Sequence, residues 1–285
     1  MRVSSLHIYP VKGVRAVDLA RARVERLGLA GDRRWLVVDA AGVGITQRTH
    51  PGLATIIAEL SGGGIVLSAA GAARVAVAAP DGARRLDILI WGEPVNAALA
   101  DDAAHRWLSE RLGDELRLVC MDTQSARVKT GAWTGEPTPT SFADAFPLLV
   151  ATTGSLAALN EEIARKGGAP VPMARFRPNV VIDCDDPWAE DFWKVLRIGD
   201  VEIELVKPCD RCVVTTRDQQ TGESAGKEPL ASLARLRRSA DPRINGVLFG
   251  WNAVPLGLGD IAIGDAVRII GRRERRGAVI EPSGC

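Results

Sequence analysis

The apolar residues of this chain fall mainly into short runs bounded by Gly, Asp or Pro, and this pattern restricts the fold more than any other feature. Residues 36–38, 64–67 and 86–91 are such runs, each rich in aliphatic side chains. Short aliphatic runs between turn-forming residues are typical of β-strands. The first 120 residues are therefore predicted to be mainly short strands.

Helical spacing interrupts the strand pattern in only a few places. Between 102 and 112, Ala103, Ala104, Trp107, Leu108 and Leu112 recur at the spacing of one helix face, and Asp101 or Asp102 can cap its start. Residues 155–165 and 230–238 are also predicted to be helical. Further strands are predicted at 116–120, 147–151, 179–182, 201–206, 213–216 and 266–270. The sum is a β-rich chain with a few helices.

Composition excludes several classes of protein. The chain has 285 residues, 46% of them hydrophobic, so it can bury one large core or two moderate ones. A formal net charge of +1 gives no basic stripe for nucleic acid and no polybasic membrane tether. No apolar run reaches ~18 residues and the N-terminus lacks a secretory signal, so a cytoplasmic protein without a membrane span is predicted. Five cysteines are odd in number and few, which favours thiols over a disulfide framework.

The pair Cys209-x-x-Cys212 is the most informative motif. A structural zinc site needs four ligands, and the chain has neither a second C-x-x-C nor a nearby histidine. A thioredoxin-type pair opens a helix, whereas the β-branched run 213–216 that follows Cys212 predicts a strand. Inert core cysteines do not fit the polar turn that Pro208, Asp210 and Arg211 form around them. The interpretation that remains is a thiolate presented to a soft metal, favoured by the neighbouring arginine.

Polar residues at four other turns could bind an anion. Arg175, Arg177 and Asn179 stand directly before an apolar strand, where guanidinium groups suit phosphate or carboxylate and Asn suits the edge of a heterocycle. An ion-pair cluster with the aspartates at 183, 185 and 186 is the equally good alternative. The other three turns carry Lys12 beside Gly13, Arg33 after Asp32, and Asp144 between two phenylalanines. Each is a weak signal alone.

Taken in order, these segments resemble the MOSC (molybdenum cofactor sulfurase C-terminal) superfamily with its N-terminal β-barrel partner domain. In particular they look like the bacterial relatives of the mitochondrial amidoxime reducing component. The matching segments are Tyr9-Pro-Val-Lys12-Gly13, Gly31-Asp-Arg33-Arg-Trp35-Leu-Val, Phe176-Arg177-Pro-Asn179-Val-Val, 193–200, and Lys207-Pro-Cys209-Asp-Arg-Cys212-Val-Val-Thr-Thr. The last segment is the most specific.

The resemblance implies a fold and its division. It implies an α+β, β-rich chain in which an N-terminal β-barrel-like domain, 1–121, precedes a MOSC β-barrel domain with peripheral helices, 142–272. The Thr-, Ser-, Gly- and Pro-rich stretch 122–141 is then a linker loop. Residues 273–285 form a tail.

The resemblance also implies a cofactor and its ligands. A molybdenum–molybdopterin cofactor would take Cys212 as its metal ligand and catalytic thiolate, with Cys209 as a neighbour. Asp144 is also a candidate catalytic residue. The residues implied to bind the cofactor are Lys12, Gly13, Arg33, Asp144, Arg177, Asn179 and Asp210.

The implied reaction is a two-electron reduction of N-hydroxylated bases, amidoximes or hydroxylamines. Because the chain has no C-x4-C-x2-C spacing, no iron–sulfur cluster is expected within it. Electrons would come from a separate ferredoxin-, flavodoxin- or cytochrome b5-like protein with its reductase. The alternative is a molybdenum-cofactor or sulfur carrier that holds a persulfide on Cys212, and a third possibility is a scaffold whose cofactor pocket has decayed.

Overall fold

The computed structural model describes residues 1–273. Its strands are β1 (Arg2–Ile8), β2 (Val17–Leu19), β3 (Arg21–Glu25), β4 (Gly28–Leu29), β5 (Trp35–Asp39), β6 (Ile57–Ser61), β7 (Gly64–Ser68), β8 (Val75–Val77), β9 (Arg85–Ile90), β10 (Glu93–Leu99), β11 (Leu116–Cys120), β12 (Val128–Lys129), β13 (Thr138–Pro139), β14 (Leu148–Thr152), β15 (Val180–Asp183), β16 (Trp193–Ile198), β17 (Val201–Arg211), β18 (Val247–Pro255), β19 (Gly259–Ala262) and β20 (Val267–Arg272). The helices are α1 (Asp102–Leu112), α2 (Thr153–Arg165) and α3 (Leu230–Leu236), with 3-10 turns at Pro51–Thr55, Met173–Phe176, Ala189–Phe192 and Val213–Thr216. The predicted β-rich α+β class is confirmed.

The largest sheet has eight strands in the order β2-β1-β15-β14-β18-β17-β16-β20. Only β14 and β15 pair in parallel; the other neighbours within this sheet are antiparallel. Buried and more exposed residues alternate along the first part of β17, so that Val201, Ile203 and Leu205 point into a hydrophobic core. Trp193 and Trp251 belong to the same core. Helices α2 and α3 cover a second cluster around Phe176 and Phe249.

Residues 35–120 build a second group of sheets. Strands β5-β11-β10-β9 form one sheet and β6-β7-β8 another, and α1 packs its Ala104 and Leu108 against them. The carboxylate of Asp101 accepts the N–H of Ala104, and Gly113 ends the helix in the left-handed conformation. Helix 102–112 therefore has the bounds that its sequence pattern predicts.

The first thirty residues join the two halves. Strand β1 pairs with β15, and β3 pairs with β19, so both cross the predicted boundary near residue 121. Hydrogen bonding across that boundary brings the turns after β1 and β4 beside the turn before β15. The domain limits 1–121 and 142–272 stay a prediction, and the predicted linker 122–141 contains the hairpin β12–β13.

The prediction of a strand at 213–216 was wrong, because these residues form a 3-10 turn. The hydroxyl of Thr215 donates to the carbonyl of Cys212 at 2.9 Å, and that of Thr216 to the carbonyl of Val213 at 2.8 Å. Threonine hydroxyls that bond nearby carbonyls offer the backbone an alternative to a ladder of strands. Of the predicted tail 273–285, all but Arg273 lies outside the described residues. Within residues 1–273, no helix is both long and apolar enough to cross a membrane.

Candidate functional site

A cavity of about 370 Å³ lies where the two halves meet. Every residue that the sequence singled out for a cofactor or metal lines it: Lys12, Gly13, Arg33, Asp144, Arg177, Asn179, Asp210 and Cys212. Chain segments more than 190 residues apart in sequence thus meet at one place. Whether these residues bind a cofactor is taken up under Proposed function.

The cavity wall concentrates positive charge. Seven cationic side chains line it against two carboxylates, a formal net charge of +5 in a chain whose total is +1. The cations are Lys12, Arg33, Arg48, Arg175, Arg177, Lys207 and Arg211. An excess of cations in a concave site favours an anionic ligand with several oxygen acceptors.

The cavity has a buried floor and an exposed rim. Lys12, Arg175 and Asn179 are buried in its floor. The exposed side chains among its lining residues are Arg48, Trp91, Asp144 and Asp210, which therefore form the rim. Cys212 is half-buried between floor and rim.

Lys12 lies in the turn after β1, where its N–H bonds the carbonyl of Trp35 at 2.8 Å. Its ammonium donates to the carbonyl of Phe142 at 3.0 Å and forms an ion pair with Asp144. Burial lowers the pKa of Lys12, and Asp144 opposes that effect. Desolvation by the surrounding cavity wall raises the pKa of Asp144 at the rim, but the charges of Lys12 and Arg33 outweigh it and hold the pKa well below its usual range.

Gly13 occupies a backbone conformation that favours glycine, with φ of +87°. Its carbonyl accepts a hydrogen bond from Nε2 of Gln47 at 2.7 Å. A Cβ at this position would stand 3.0 Å from Cδ1 of Leu53. Gly13 thus allows the backbone of the Lys12 turn to pack against the 3-10 turn that contains Leu53.

Arg33 and Arg177 stack on the ring of Tyr9, at 4.4 and 4.1 Å from its centroid. Both have positive φ, of 50° and 53°. Arg33 is held by the fully buried Asp32 at 2.6 Å, and its Nη2 donates to the carbonyl of Arg177 at 3.3 Å. Burial lowers the pKa of Arg33, but Asp32 and the other nearby groups raise it further, so the pKa lies above its ordinary value.

Arg177 has fewer compensating contacts than Arg33. Its Nη1 donates to the carbonyl of Val14 at 2.8 Å and to Gln219 at 3.1 Å, whereas its Nη2 is buried without a hydrogen-bond partner. Burial first, and then the nearby Arg33, lower the pKa of Arg177 to about 10. Arg177 is therefore a buried cation of the cavity wall that forms no ion pair with a carboxylate of residues 1–273.

Asn179 holds the neighbouring parts of the floor in place. Its side chain accepts from the N–H of Leu149 at 3.1 Å and from Arg33 at 3.3 Å, and it donates to the carbonyl of His7 at 3.1 Å. Only 1% of the residue is exposed. With its carbonyl oxygen fully used, Asn179 orients Arg33 and ties β1 to β14, and it has little left to offer a ligand directly.

The two cysteines differ in environment. Cys209 lies within β17 where the register shifts between Pro208 and Asp210, and burial raises the pKa of its thiol. Cys212 follows the end of β17 and precedes the 3-10 turn, with extended backbone. A hydrogen bond with Cys212 is the largest cause of the raised pKa of Arg48. Cys212 thus has a cationic partner at the rim, while Cys209 is kept as a neutral thiol.

Asp210 and Arg211 point in different directions between the cysteines. Asp210 is exposed at the rim and pairs with Lys207 at 2.8 Å. Arg211 donates to the carbonyls of Phe249 at 2.9 Å and Phe176 at 3.0 Å, and its Nη2 is buried without a partner. Arg211 therefore braces the strand end that presents Cys212 and adds uncompensated positive charge.

Sequence patterns missed Arg48 and Trp91. Arg48 lies in an irregular loop, and Trp91 ends the apolar run 86–91, whose pattern predicts only a strand. Among residues 1–273, Arg33, Trp91 and Arg177 are three of four non-glycine residues with positive φ, and all three line the cavity. Residues held in rare backbone conformations cluster at functional sites.

Within the described part of the chain, no three His, Cys, Asp or Glu side chains gather where they could hold a metal ion. A metal bound at Cys212 would therefore need most of its ligands from a source other than these side chains. A cofactor that brings its own ligands meets this requirement.

The chain is similar to known families and proteins over most of its length. The MOSC N-terminal beta barrel domain family matches residues 1–115, and the MOSC domain family matches residues 137–268. Mitochondrial amidoxime-reducing component 1 of Homo sapiens is 33% identical over 95% of this chain and 83% of its own length. Mitochondrial amidoxime reducing component 2 of Rattus norvegicus is 30% identical over 93% and 82%. Molybdenum cofactor sulfurase of Oryza sativa subsp. japonica is 28% identical over 99% of this chain but 36% of its own length.

Proposed function

The chain belongs to the family that joins a MOSC N-terminal beta barrel domain to a MOSC domain, and we propose that it is a molybdenum-cofactor-dependent reductase of N-hydroxylated compounds. One observation carries the proposal. A half-buried thiol, Cys212, stands at the wall of a cavity whose other walls are cationic. The amidoxime-reducing names of the relatives agree with it.

The residues present fit a molybdopterin. Its phosphate would be held by Lys12, Arg33 and Arg177, which meet at one side of the cavity. The unpartnered Nη2 atoms of Arg177 and Arg211 are donors buried without acceptors, a costly state that a nearby dianion relieves. Gly13 and Asp210 would add contacts of the backbone and the rim.

Cys212 would be the metal ligand and the catalytic thiolate, because it is a half-buried thiol in the wall of a cationic cavity, with Arg48 near its sulfur. The cofactor, when bound, supplies the metal that accepts electrons and exchanges an oxygen atom with the substrate. Cys209 stays a neutral thiol beside it. This asymmetry supports the assignment of the metal to the second cysteine of the motif.

The reduction consumes two electrons and two protons and releases an amine or amidine with water. Asp144 is ionised at neutral pH, since Lys12 holds its pKa low, so its oxygens hold no proton to donate. Lys12 Nζ carries the proton of that pair and has a lowered pKa. We therefore assign Asp144 to orienting Lys12 and to accepting hydrogen bonds from substrate.

Electrons would come from a separate protein of the ferredoxin, flavodoxin or cytochrome b5 type with its reductase. Residues 1–285 contain no C-x4-C-x2-C spacing and so offer no plant-type iron–sulfur site as an electron donor. A cytoplasmic location, without nucleic acid or membrane partners, stays a prediction from composition.

Reduction of benzamidoxime with a chemical electron donor tests the proposed reaction. Protein produced with ample molybdate should form benzamidine, and Cys212→Ser should abolish the activity while keeping the folded structure. Cys209→Ser should retain most of it. Cys184→Ser, a thiol that does not line the cavity, is the matched control. Equal loss in Cys209→Ser with activity retained in Cys212→Ser would contradict the ligand assignment.

The alternative function, a cofactor or sulfur carrier with a persulfide on Cys212, is favoured by the similarity to molybdenum cofactor sulfurase over 99% of the chain. In that case the purified protein would carry a cyanide-labile sulfur atom on Cys212 and would not reduce benzamidoxime. Mass spectrometry of the intact protein distinguishes the two functions through the added mass of one sulfur atom.

A further inference from the structure

Trp91 lies at the rim of the cavity, at a turn position where tryptophan is disfavoured. Strands β9 and β10 are joined by Trp91 and Gly92 alone, with φ of 54° and 79°. Two positive φ angles define a type I′ hairpin turn, whose first position prefers Asn or Asp. A bulky L-residue is strained in this left-handed conformation. Hairpin formation therefore gives no reason for a tryptophan at this position.

The indole is nevertheless held firmly toward the cavity. Its Nε1 donates to Oδ1 of Asp144 at 3.1 Å. Lys12 and Arg48 lie 5.5 and 5.2 Å from the ring centroid. These three partners all line the cavity. The position of the ring is thus determined by the site and not by the core, and 48% of the residue remains exposed.

The hairpin tip is also tied to the segment that carries Asp144. Glu93, next to the turn, pairs with Arg127 at 2.7 Å and with Lys129 at 2.5 Å. Arg127 in turn donates to the carbonyls of Ser141 and Ala143. Trp91 and Asp144 therefore belong to one cross-braced unit, so the wall that they form is in place before any ligand arrives.

A short chain of contacts links this wall to Cys212. Arg48, whose pKa is raised by the nearby Cys212, lies over the ring of Trp91, and Trp91 donates a hydrogen bond to Asp144. The aromatic side chain is therefore separated from the thiol by a single residue.

From this juxtaposition we propose that Trp91 is a specificity-determining residue, which packs against a planar conjugated group carried by the substrate. The inference rests on the proposed function, and it narrows the substrate class to N-hydroxylated amidines and heterocycles with an aromatic or conjugated plane. Small N-hydroxy compounds such as hydroxylamine would gain nothing from this contact. An aromatic contact of this kind stabilises the bound ligand beyond the effect of buried area alone.

The test compares the kcat/KM for benzamidoxime with that for hydroxylamine in the cofactor-loaded protein. Trp91→Asn should lower this ratio about fivefold, mainly through the KM for benzamidoxime, and Trp91→Phe should keep it within twofold. Trp107→Phe, on α1 and away from the cavity, is the matched control. Because Asn suits the turn, Trp91→Asn should melt no lower than the wild type, whereas a purely structural tryptophan would lose stability on replacement. Trp91→Gly, which the turn also tolerates, is the second variant.

Saturation-transfer NMR with benzamidoxime gives a readout that needs no turnover. Transfer to the aromatic protons of the ligand should be strong in the wild type and in Trp91→Phe, and weak in Trp91→Asn. An unchanged substrate ratio and unchanged transfer in folded Trp91→Asn would overturn the inference. If the wild type reduces neither substrate, the proposed function fails, and the NMR comparison still decides whether Trp91 contacts a planar ligand.

Discussion

Replacing Arg177 with methionine should leave the stability of the cofactor-free protein nearly unchanged while removing its response to a phosphate anion. A pKa held at about 10 instead of 12.5 means that the folded protein disfavours the charged guanidinium by about 3 kcal/mol. Methionine removes that cost. It also removes the hydrogen bonds to Val14 and Gln219, and an unsatisfied buried carbonyl costs about 1–3 kcal/mol.

The two contributions oppose each other and are similar in size. The free energy of unfolding of Arg177→Met should therefore lie within about 2 kcal/mol of the wild-type value. This is less than the cost, about 3–5 kcal/mol, of breaking a buried ion pair. A change this small would indicate that Arg177 serves to bind a ligand and does not stabilise the fold.

Urea unfolding with and without inorganic phosphate measures both effects. At ten times its dissociation constant, phosphate should stabilise the wild type by about 1.4 kcal/mol, and it should stabilise Arg177→Met much less. Arg74→Met removes an exposed cation that pairs with Glu59, and it should behave like the wild type. A loss of more than 3 kcal/mol in Arg177→Met with an intact phosphate response would refute the reasoning.

Two further substitutions test other parts of the structure. Gly13→Ala should lower the free energy of unfolding by about 1–3 kcal/mol in urea titrations, since φ is +87° and the new Cβ meets Leu53; an unchanged midpoint would show that the turn adapts. Glu190 is fully buried beside Ser155 and Thr152, and burial raises its pKa above the ordinary 4.5. Its favourable contribution to the free energy of unfolding is therefore present below pH 4.5, and it is lost as the pH rises through the pKa of the folded state. Glu190→Gln should therefore be more stable than the wild type at pH 8 but not at pH 4, and an equal difference at both values would contradict a raised pKa.

Local patterns marked several candidate site residues only weakly, and the resemblance to the MOSC superfamily joined them into one candidate site. Lys12 beside Gly13, Arg177 before an apolar strand, and the pair Cys209 and Cys212 stand at turns next to strands, where side chains reach a common edge. The structure brings all of them to one cavity.

Arg48 and Trp91 could not be predicted in this way. Arg48 lies in a loop and Trp91 at a hairpin tip. Both reach residues 142–144 and 212 only because β9 pairs with β10 and β5 pairs with β11 in the folded chain. A run that ends in a hairpin looks like any other strand until its partner is known. A positive φ at a bulky residue is likewise a property of the folded chain alone.

The strand predicted at 213–216 failed for a different reason. Val213, Val214, Thr215 and Thr216 have high β-propensity, which measures packing on a pleated surface more than a preference of the backbone itself. Here the hydroxyls of Thr215 and Thr216 close a 3-10 turn, and β17 ends at Arg211. Cys212 is consequently displayed at the end of a strand and not embedded within one.

Molybdenum and pterin content of the purified protein, expressed with ample molybdate, tests the assignment of Cys212 most directly. Near one molybdenum atom and one releasable pterin per chain are expected in the wild type and in Cys209→Ser. Cys212→Ser should lose the metal while it still binds phosphate through Lys12, Arg33 and Arg177. Wild-type protein that carries neither metal nor pterin under these conditions, or Cys212→Ser that retains both, would contradict the assignment.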